Sequence, residues 1–358
     1  MKKFRLIIPL LLVSILSNAK DYQLKSPDGQ LVVDVSVSNE IQFSVFYKDQ
    51  EIISNSQIGL QLQGMSFVGK EFRVKKHKLY ESNKVIKPIV ANKDATITDN
   101  YKELRIEFRD HPSVTFRAYN DGVAYRFSSS YKKNITVSNE LLNLQFKGET
   151  ESYFPSERSM VSHYERMYEE VTLSDLLDSD LCSLPVLMKT DGVNVLFTET
   201  DVSDYPHMFL LGTNSNVLKA KHPGFVTDAK PAERGSDRSQ IITSADYIAQ
   251  TKGKRDFPWR VMIISDDDKD LVESNLAYQL AAPNKIDDYS WIKPGKVAWD
   301  WYNANNIYGV DFKAGINTDT YKYYIDFASK YGLEYIILDE GWSKSTTEID
   351  ASQSDIVI

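Results

Sequence analysis

Residues 295–358 read as a strand, a helix and a second strand, a pattern that starts a barrel without completing one. Residues 295–301 are an apolar run that ends in aromatic residues and a carboxylate, residues 318–331 show helical periodicity, and residues 333–342 are an apolar run with an acidic end. Strands separated by a helix predict a βαβ unit and a parallel sheet. Because a (β/α)8 barrel needs about 250 residues, we expect the first two strands of an incomplete TIM barrel here.

The helix of this unit has recognisable ends. Asn317 or Thr318 can cap its N-terminus, and Asp319 in the first turn favours the helix dipole. Gly332 fits the position just after the last helical residue. The apolar or aromatic positions that recur at helical spacing are Tyr321, Tyr324, Ile325 and Ala328.

The chain before this unit predicts many short strands with turn residues between them. Residues 103–109 alternate between polar and apolar side chains, and residues 114–119 and 123–127 flank Asn120-Asp-Gly, a hairpin-turn signal. Short strands of this kind are typical of a large β-sandwich. Residues 271–280 predict one helix with an acidic start.

Four segments follow from these patterns. We predict a signal peptide over residues 1–19, an N-terminal β-sandwich domain over 20–282, a linker over 283–294, and the truncated start of a catalytic (β/α)8 barrel over 295–358.

The N-terminus has the form of a secretory signal peptide. Lys2, Lys3 and Arg5 precede an apolar stretch of residues 6–16, and Ser17-Asn-Ala fits a cleavage site. We therefore expect secretion, with the periplasm as the compartment and no membrane association after cleavage. The net charge is −8, and loss of the three positive charges in residues 1–19 makes it −11. That charge argues against nucleic acid or an anionic membrane as partner.

Cys182 is the only cysteine of the chain, so an internal disulfide is excluded. A nucleophilic role is possible in principle, but no histidine lies near Cys182 in the sequence. The interpretation that fits better is a buried structural thiol.

Polar and aromatic residues stand at the C-terminal ends of both apolar runs, residues 295–301 and 333–342. The C-terminal ends of the strands carry the active-site residues of a barrel enzyme. Adjacent parallel strands lie about 4.8 Å apart, so side chains from the two ends can converge on one ligand. Aromatic rings beside carboxylates suit a sugar. The predicted substrate-binding residues are Trp299, Asp300 and Trp301, with Asn303 close by, and Asp339, Glu340 and Trp342.

The individual roles stay open at this point. Retaining and inverting glycosidases differ in the separation of two carboxyl groups, which sequence spacing does not fix. Asp300, Asp339 and Glu340 are therefore not assigned as nucleophile or acid. Trp299 and Trp301 lie two residues apart, and one of them can instead pack against helices.

Five segments together resemble glycoside hydrolase family 97. They are residues 116–127, 197–206, 258–263, 296–301 and 337–342. The resemblance implies a β-sandwich, a (β/α)8 barrel and a small C-terminal β domain, and a calcium-dependent exo-acting α-glycosidase. One branch of the family is inverting and acts on α-glucosides, and another is retaining and acts on α-galactosides. The strand ends of this chain resemble the retaining branch more closely.

The resemblance assigns no catalytic residue within this chain. The family's nucleophile, base and acid residues belong to later barrel strands, beyond Ile358, so none is carried over. One inherited role does fall here: Glu199 matches the glutamate that the sandwich supplies as a calcium ligand. Asp201 and Asp204 are weaker candidates. Ca²⁺ takes six to eight oxygen ligands, so further ligands would have to come from elsewhere.

Two hypotheses result. The first is the N-terminal fragment of a secreted exo-α-glycosidase that acts on an oligosaccharide, prefers α-galactosides over α-glucosides, and needs Ca²⁺ in the complete enzyme. The 358-residue chain by itself would be inactive, and the missing half of the barrel is a candidate partner. The alternative is a non-catalytic carbohydrate-binding β-sandwich protein.

Overall fold

A computed structural model describes residues 19–64, 72–90, 92–231, 239–339 and 341–343. Glu340 and the first 18 residues of the predicted signal peptide lie outside the described residues. The chain divides into two compact units. The first comprises Met1–Ile86, Thr98–Phe225 and Asp246–Ala282, and the second comprises Lys87–Ile97, Val226–Ala245 and Pro283–Ile358.

Strands dominate the described ranges. Numbered along the chain, they are β1 (Lys20–Lys25), β2 (Leu31–Val37), β3 (Ile41–Tyr47), β4 (Gln50–Leu62), β5 (Val74–Ile86), β6 (Ile97–Phe108), β7 (Ser113–Tyr119), β8 (Gly122–Ser130), β9 (Ile135–Gln145), β10 (Thr150–Glu157), β11 (Tyr168–Thr172), β12 (Leu181–Cys182), β13 (Val186–Thr190), β14 (Val193–Thr200), β15 (Phe209–Leu211), β16 (Val217–Lys221), β17 (Val226–Pro231), β18 (Ser239–Ser244), β19 (Ala249–Thr251), β20 (Lys254–Asp256), β21 (Trp259–Ser265), β22 (Val297–Trp299) and β23 (Tyr335–Ile337). The α-helices are α1 (Asp268–Glu273), α2 (Leu276–Leu280) and α3 (Thr318–Tyr331).

Antiparallel pairing arranges most strands of the first unit into two layers. One layer follows the order β1, β2, β3, β4, β9, β16, β15, β12. The other follows the order β6, β7, β8, β21, β14, β13, β10, β11. At its end, β10 also pairs with β12 of the first layer through Ser156 and Glu157. The β-sandwich predicted from the sequence is therefore present.

The pattern of side chains explains the two layers. Every second residue of β2 and β3 is buried, which places one apolar face of each strand against the core. Strand β21 is buried along its whole length because both of its faces are covered. Met262 and Ile264 enter the main core, whereas Trp259 packs in a second cluster with Leu276 and Leu280.

The second unit contains a two-stranded ribbon, β17–β18, and the predicted βαβ unit. Strands β22 and β23 are parallel, with Ala298 opposite Ile336. Helix α3 begins as predicted: the Asn317 side chain accepts the Thr320 N–H at 2.9 Å. It ends at Gly332, whose φ of 66° is left-handed. The (β/α)8 barrel itself stays a prediction, because β22, α3 and β23 form a single βαβ unit.

Two local features differ from the sequence-based expectation. The single helix predicted over residues 271–280 is two helices, because Ser274 and Asn275 interrupt it. Strand β22 ends at Trp299, and a 3-10 turn over Asp300–Asn303 follows. Cys182 is buried, as expected, and burial raises the pKa of its thiol. None of the helices in the described ranges is long and apolar enough to cross a membrane.

Candidate functional site

The ends of β22 and β23 bring together four of the predicted substrate-binding residues, Trp299, Asp300, Trp301 and Asp339. The rings of Trp299 and Trp301 stack, with centroids 5.7 Å apart and an angle of 27° between the planes. The indole Nε1–H of Trp299 donates to Oδ2 of Asp339 at 2.8 Å. Trp301 is 58% exposed. The two tryptophans therefore form one aromatic surface beside a carboxylate, and they do not point to opposite sides.

Asp300 has a different environment from its neighbours. Its side chain is buried, and its Oδ1 accepts the backbone N–H of Asp339 at 3.2 Å. Burial and the nearby Asp300 carboxylate raise the pKa of the Tyr321 hydroxyl. In this conformation Asp300 ties the two strand ends together. Its predicted contact with substrate stays untested.

An open groove lies beside these strand ends, with a volume of about 750 Å³. Half of its lining residues are aromatic, among them Trp299, Tyr302, Tyr308, Tyr324 and Phe327. Of these five, the sequence singled out only Trp299 as a binding residue. Trp342 is half-buried, and Glu340 lies outside the described residues, so its predicted role has no structural counterpart here.

Glu199 stands at the C-terminal end of β14, in the first unit. Its side chain is 6% exposed and bound on two sides. On one side the Nδ1–H of His207 donates to Oε1 at 2.7 Å, and the backbone N–H of Met208 donates to the same atom at 3.3 Å. On the other side Nη1 of Arg260 donates to Oε2. Glu199 is thus held in one orientation.

Arg260 connects Glu199 to the opposite layer of the sandwich. Its Nε and Nη2 donate to the two carboxylate oxygens of Glu140 on β9, each at 2.8 Å. The side chains of Arg260 and Glu140 are 0% and 2% exposed. Burial alone would raise the pKa of Glu140, but the ion pair with Arg260 holds it below its usual value. Arg260 directly faces Glu199 across the β14–β21 ladder.

The triad of Glu140, Arg260 and Glu199 has unbalanced charge next to Glu199. Two carboxylates share one guanidinium, which gives a net charge of −1 in a nearly closed environment. A buried uncompensated charge is unfavourable, so a second cation is favoured on the open side of Glu199. In this structure His207 occupies that side. The sequence contained one signal of the triad, an arginine inside the apolar strand of residues 259–265.

The hydrogen bond to Glu199 raises the pKa of the His207 imidazole above its usual value, although burial and the positive charge of Arg260 act to lower it. A raised folded-state pKa adds stability below the unfolded value of about 6.5, and that stability is lost as pH rises through the folded-state pKa. NMR titration of the imidazole should show a lower pKa in Glu199→Gln than in the wild type. An unchanged pKa in that variant would contradict the contact.

The two weaker calcium candidates have partners of their own. Asp201 lies 3.8 Å from Arg126. Asp204 accepts the hydroxyl of Thr251 at 2.9 Å. Within the part of the chain that the structure describes, no three His, Cys, Asp or Glu side chains are grouped closely enough to hold a metal ion. The calcium role of Glu199 therefore stays a prediction, and the described residues do not complete a calcium site.

Two protein-family models match the chain. The model described as Glycosyl-hydrolase 97 N-terminal matches residues 24–283, and the model described as Glycoside hydrolase 97 matches residues 300–357.

Curated proteins give a consistent result. The chain is 34% identical over 357 residues to a retaining α-galactosidase of Bacteroides thetaiotaomicron, covering 96% of this chain and 54% of that protein. It is 28% identical over 110 residues to a probable retaining α-galactosidase of Streptomyces bingchenggensis, covering 31% of this chain and 16% of that protein. The chain thus spans about half the length of the Bacteroides relative.

Solved structures share the fold. A glycoside hydrolase family 97 enzyme from Pseudoalteromonas sp. strain K8, in complex with acarbose, superposes with a TM-score of 0.73 at 25% identity, over 88% of this chain and 46% of that one. A β-arabinopyranosidase gives a TM-score of 0.72 at 23% identity, over 93% and 52%, and shows the fold alone. Since the N-terminal family model by itself covers more than half of the sequence, the chain belongs to glycoside hydrolase family 97.

Proposed function

We propose that the protein containing this chain is an exo-α-glycosidase that removes terminal α-linked hexoses from oligosaccharides and prefers α-galactosides to α-glucosides. The observation that carries the proposal is family membership, together with 34% identity to a retaining α-galactosidase. The stacked rings of Trp299 and Trp301 beside Asp339 support a sugar ligand, because they combine flat apolar faces with a hydrogen-bond acceptor.

This chain on its own is proposed to be inactive. Glycoside hydrolysis needs two carboxyl groups that flank the scissile bond. Asp300 is engaged with the backbone of the neighbouring strand, and Asp339 accepts the indole of Trp299. The proposed nucleophile and acid/base residues lie outside this chain, and the remaining part of the barrel is the partner expected to supply them.

Calcium is the proposed cofactor of the complete enzyme, with Glu199 as one ligand. The net negative charge of the Glu140–Arg260–Glu199 triad favours a cation at the open side of Glu199. Carboxylate oxygens are the ligands that Ca²⁺ prefers. Binding there would displace His207, whose side chain is 62% exposed, and would leave the buried Arg260 in place. We also propose secretion to the periplasm, on the basis of the signal-like residues 1–19.

The direct test is an assay with 4-nitrophenyl α-galactoside and α-glucoside. The 358-residue chain is expected to give no turnover above the blank, with calcium or with EDTA. Any longer product of the same reading frame is expected to hydrolyse the α-galactoside faster than the α-glucoside. Addition of EDTA, or the substitution Glu199→Gln, is expected to abolish this activity. Turnover by the chain alone would refute its inactivity, and a longer product inactive on both substrates would refute the proposed activity. Micromolar galactose or maltose binding without calcium would favour the carbohydrate-binding alternative.

A further inference from the structure

The loop between β14 and β15, residues 201–208, carries hydrogen-bond donors back to Glu199. Strand β14 ends one residue after Glu199, and the loop ends with His207 and Met208. The Met208 N–H lies within hydrogen-bond distance of both carboxylate oxygens, 3.3 Å from Oε1 and 3.4 Å from Oε2. A cation on the open side of Glu199 would displace His207, so the Met208 N–H is the contact from this loop that would remain.

The path of this loop is irregular. Residues 201–208 belong to no helix or strand. Asp201 and Asp204 have φ values of 60° and 52°, in the left-handed region, which aspartate tolerates better than most residues and which changes the direction of the chain. Because a loop of this kind has no regular backbone ladder, its shape depends on the side chains that bind its carbonyl and N–H groups.

Arg255 on β20 binds the middle of the loop. Its Nη1 donates to the backbone oxygen of Asp204 at 2.8 Å, and its Nη2 donates to the backbone oxygen of Ser203 at 2.7 Å. Nη1 also donates to the hydroxyl of Thr251, which in turn donates to the Asp204 carboxylate at 2.9 Å. Nε donates to the backbone oxygen of Asp256 at 3.1 Å. One guanidinium thus fixes two successive carbonyl groups of the loop.

Aromatic rings enclose this guanidinium. Its central carbon lies 5.5 Å from the ring centroid of Tyr205, a residue of the loop, and 4.9 Å from that of Phe257. The Arg255 side chain is only 11% exposed, and burial lowers its pKa. A buried cation is unfavourable unless its N–H groups are bonded, and the loop carbonyl groups supply that bonding. A lysine has no planar pair of donors with which to replace it.

Arg126 also lies near the loop, but its contact is weaker. It approaches the Asp201 carboxylate to 3.8 Å, which is longer than a hydrogen bond. Arg255, by contrast, binds the loop backbone at 2.7 Å and 2.8 Å. The position of the Met208 N–H therefore depends on Arg255 more than on Arg126.

We propose that Arg255 is a positioning residue for the proposed calcium ligand Glu199. By fixing the carbonyl groups of Ser203 and Asp204, it holds the Met208 N–H against the Glu199 carboxylate, which keeps that carboxylate in the orientation that meets a cation. This inference rests on the proposed function, because it takes calcium as the ion bound by Glu199. Arg255 acts only through the loop, with no contact to substrate or metal assigned to it.

The first measurement is amide hydrogen exchange of the 358-residue chain, followed residue by residue with NMR. The reference is the amide of Val195, because β14 is paired on both sides, with β13 and β21. In Arg255→Gln the Met208 amide should exchange about tenfold faster relative to Val195 than in the wild type, since the loop loses hydrogen bonds from a charged donor. A general loss of stability would instead accelerate both amides alike.

Arg117→Gln is the matched control. The Arg117 side chain is 17% exposed, lies over the rings of Tyr101 and Trp259, and pairs with Glu103, so its partners belong to β6 and β21. This variant should keep the wild-type ratio of exchange rates. If Arg255→Gln fails to fold, Arg255→Lys replaces it. That variant keeps the charge without the planar pair of donors, and the ratio should rise by a smaller factor.

The second measurement uses a longer product of the same reading frame. In Arg255→Gln the calcium concentration that gives half-maximal hydrolysis of 4-nitrophenyl α-galactoside should rise about tenfold, as expected when one ligand is less well oriented. Saturating calcium should restore turnover with an unchanged KM, because the bound cation then holds Glu199 itself. Arg117→Gln should need no more calcium than the wild type.

The outcomes separate this inference from the proposed function. A wild-type ratio of exchange rates in Arg255→Gln, or an equal rise in Arg117→Gln, would overturn the positioning role, and so would an unchanged calcium requirement in an active Arg255→Gln enzyme. A longer product that hydrolyses neither glycoside, or that works equally well in EDTA, would refute the proposed activity or its calcium dependence. The exchange rates of the 358-residue chain would still decide whether Arg255 positions Glu199.

Discussion

Arg260→Met is expected to destabilise the β-sandwich by about 3–5 kcal/mol, the usual effect of removing one partner from a buried ion pair. The substitution would leave the carboxylates of Glu140 and Glu199 in a nearly water-free environment without their cation. Urea unfolding followed by far-ultraviolet circular dichroism reports the change, because most of the described secondary structure belongs to the sandwich.

The stability lost in Arg260→Met should increase as pH rises. In the wild type the lowered pKa of Glu140 means that its contribution to stability is present above the unfolded-state pKa and is lost as pH falls through the folded-state pKa. Without Arg260, burial alone would raise the pKa of Glu140. The variant should therefore lose stability as pH rises, so its deficit should be larger at pH 8 than at pH 5.

Two further variants test the cause. Arg260→Met combined with Glu140→Leu removes both members of the pair and should recover much of the loss, since a neutral pair of similar volume replaces a buried ion pair. Arg73→Met is the surface control, because Arg73 pairs with Asp110 where both side chains are more than half exposed. It should change the free energy of unfolding by less than about 1 kcal/mol. Equal losses in Arg73→Met and Arg260→Met would contradict the burial argument.

Gly122→Ala is expected to destabilise the sandwich by about 3 kcal/mol, at the upper end of the overpacking range. A Cβ at Gly122 would lie 2.3 Å from the backbone oxygen of Met262 and 2.6 Å from Cδ1 of Leu276. The first of these atoms belongs to the neighbouring strand β21 and cannot move without disturbing the ladder.

Gly59→Ala is the matched control for this clash. Gly59 also lies within a strand, β4, but the atom nearest to its added Cβ is 3.7 Å away on Leu141. Alanine is favoured over glycine in a strand by about 0.5–1 kcal/mol, so this variant should be neutral or slightly more stable. Thermal and urea unfolding of both variants measures the difference. A Gly122→Ala protein as stable as Gly59→Ala would show that β8 and β21 do not approach this closely.

Gly122 also shows how a correct prediction can rest on a wrong reason. The sequence Asn120-Asp-Gly predicted a hairpin between β7 and β8, and the hairpin is present. The turn residues are Asn120 and Asp121, while Gly122 is already paired with Tyr119. Glycine is required there by the close approach of β21, a strand more than 130 residues further along the chain.

The elements that the sequence predicted correctly depend on local physics. The alternation in β2 and β3, the cap at Asn317 and the left-handed Gly332 each involve residues within a few positions of one another. The family resemblance likewise rests on short segments, and the ranges matched by the family models, 24–283 and 300–357, contain four of the five in full. Glu199 was selected from its motif alone, and its calcium role stays a prediction.

Other features were decided only when distant strands were brought together. Glu140 and Arg260 are 120 positions apart, so no local pattern could pair them; the register of β14 with β21 and the packing of two layers do so. The sequence did not distinguish Asp300 from its neighbour Trp301, which is exposed. In the structure β22 ends at Trp299, and the buried Asp300 side chain accepts the backbone N–H of Asp339. Periodicity fixes which residues form strands and helices, because that depends on near neighbours. The partner of a buried charge depends on strand register and layer packing, which only the tertiary structure supplies.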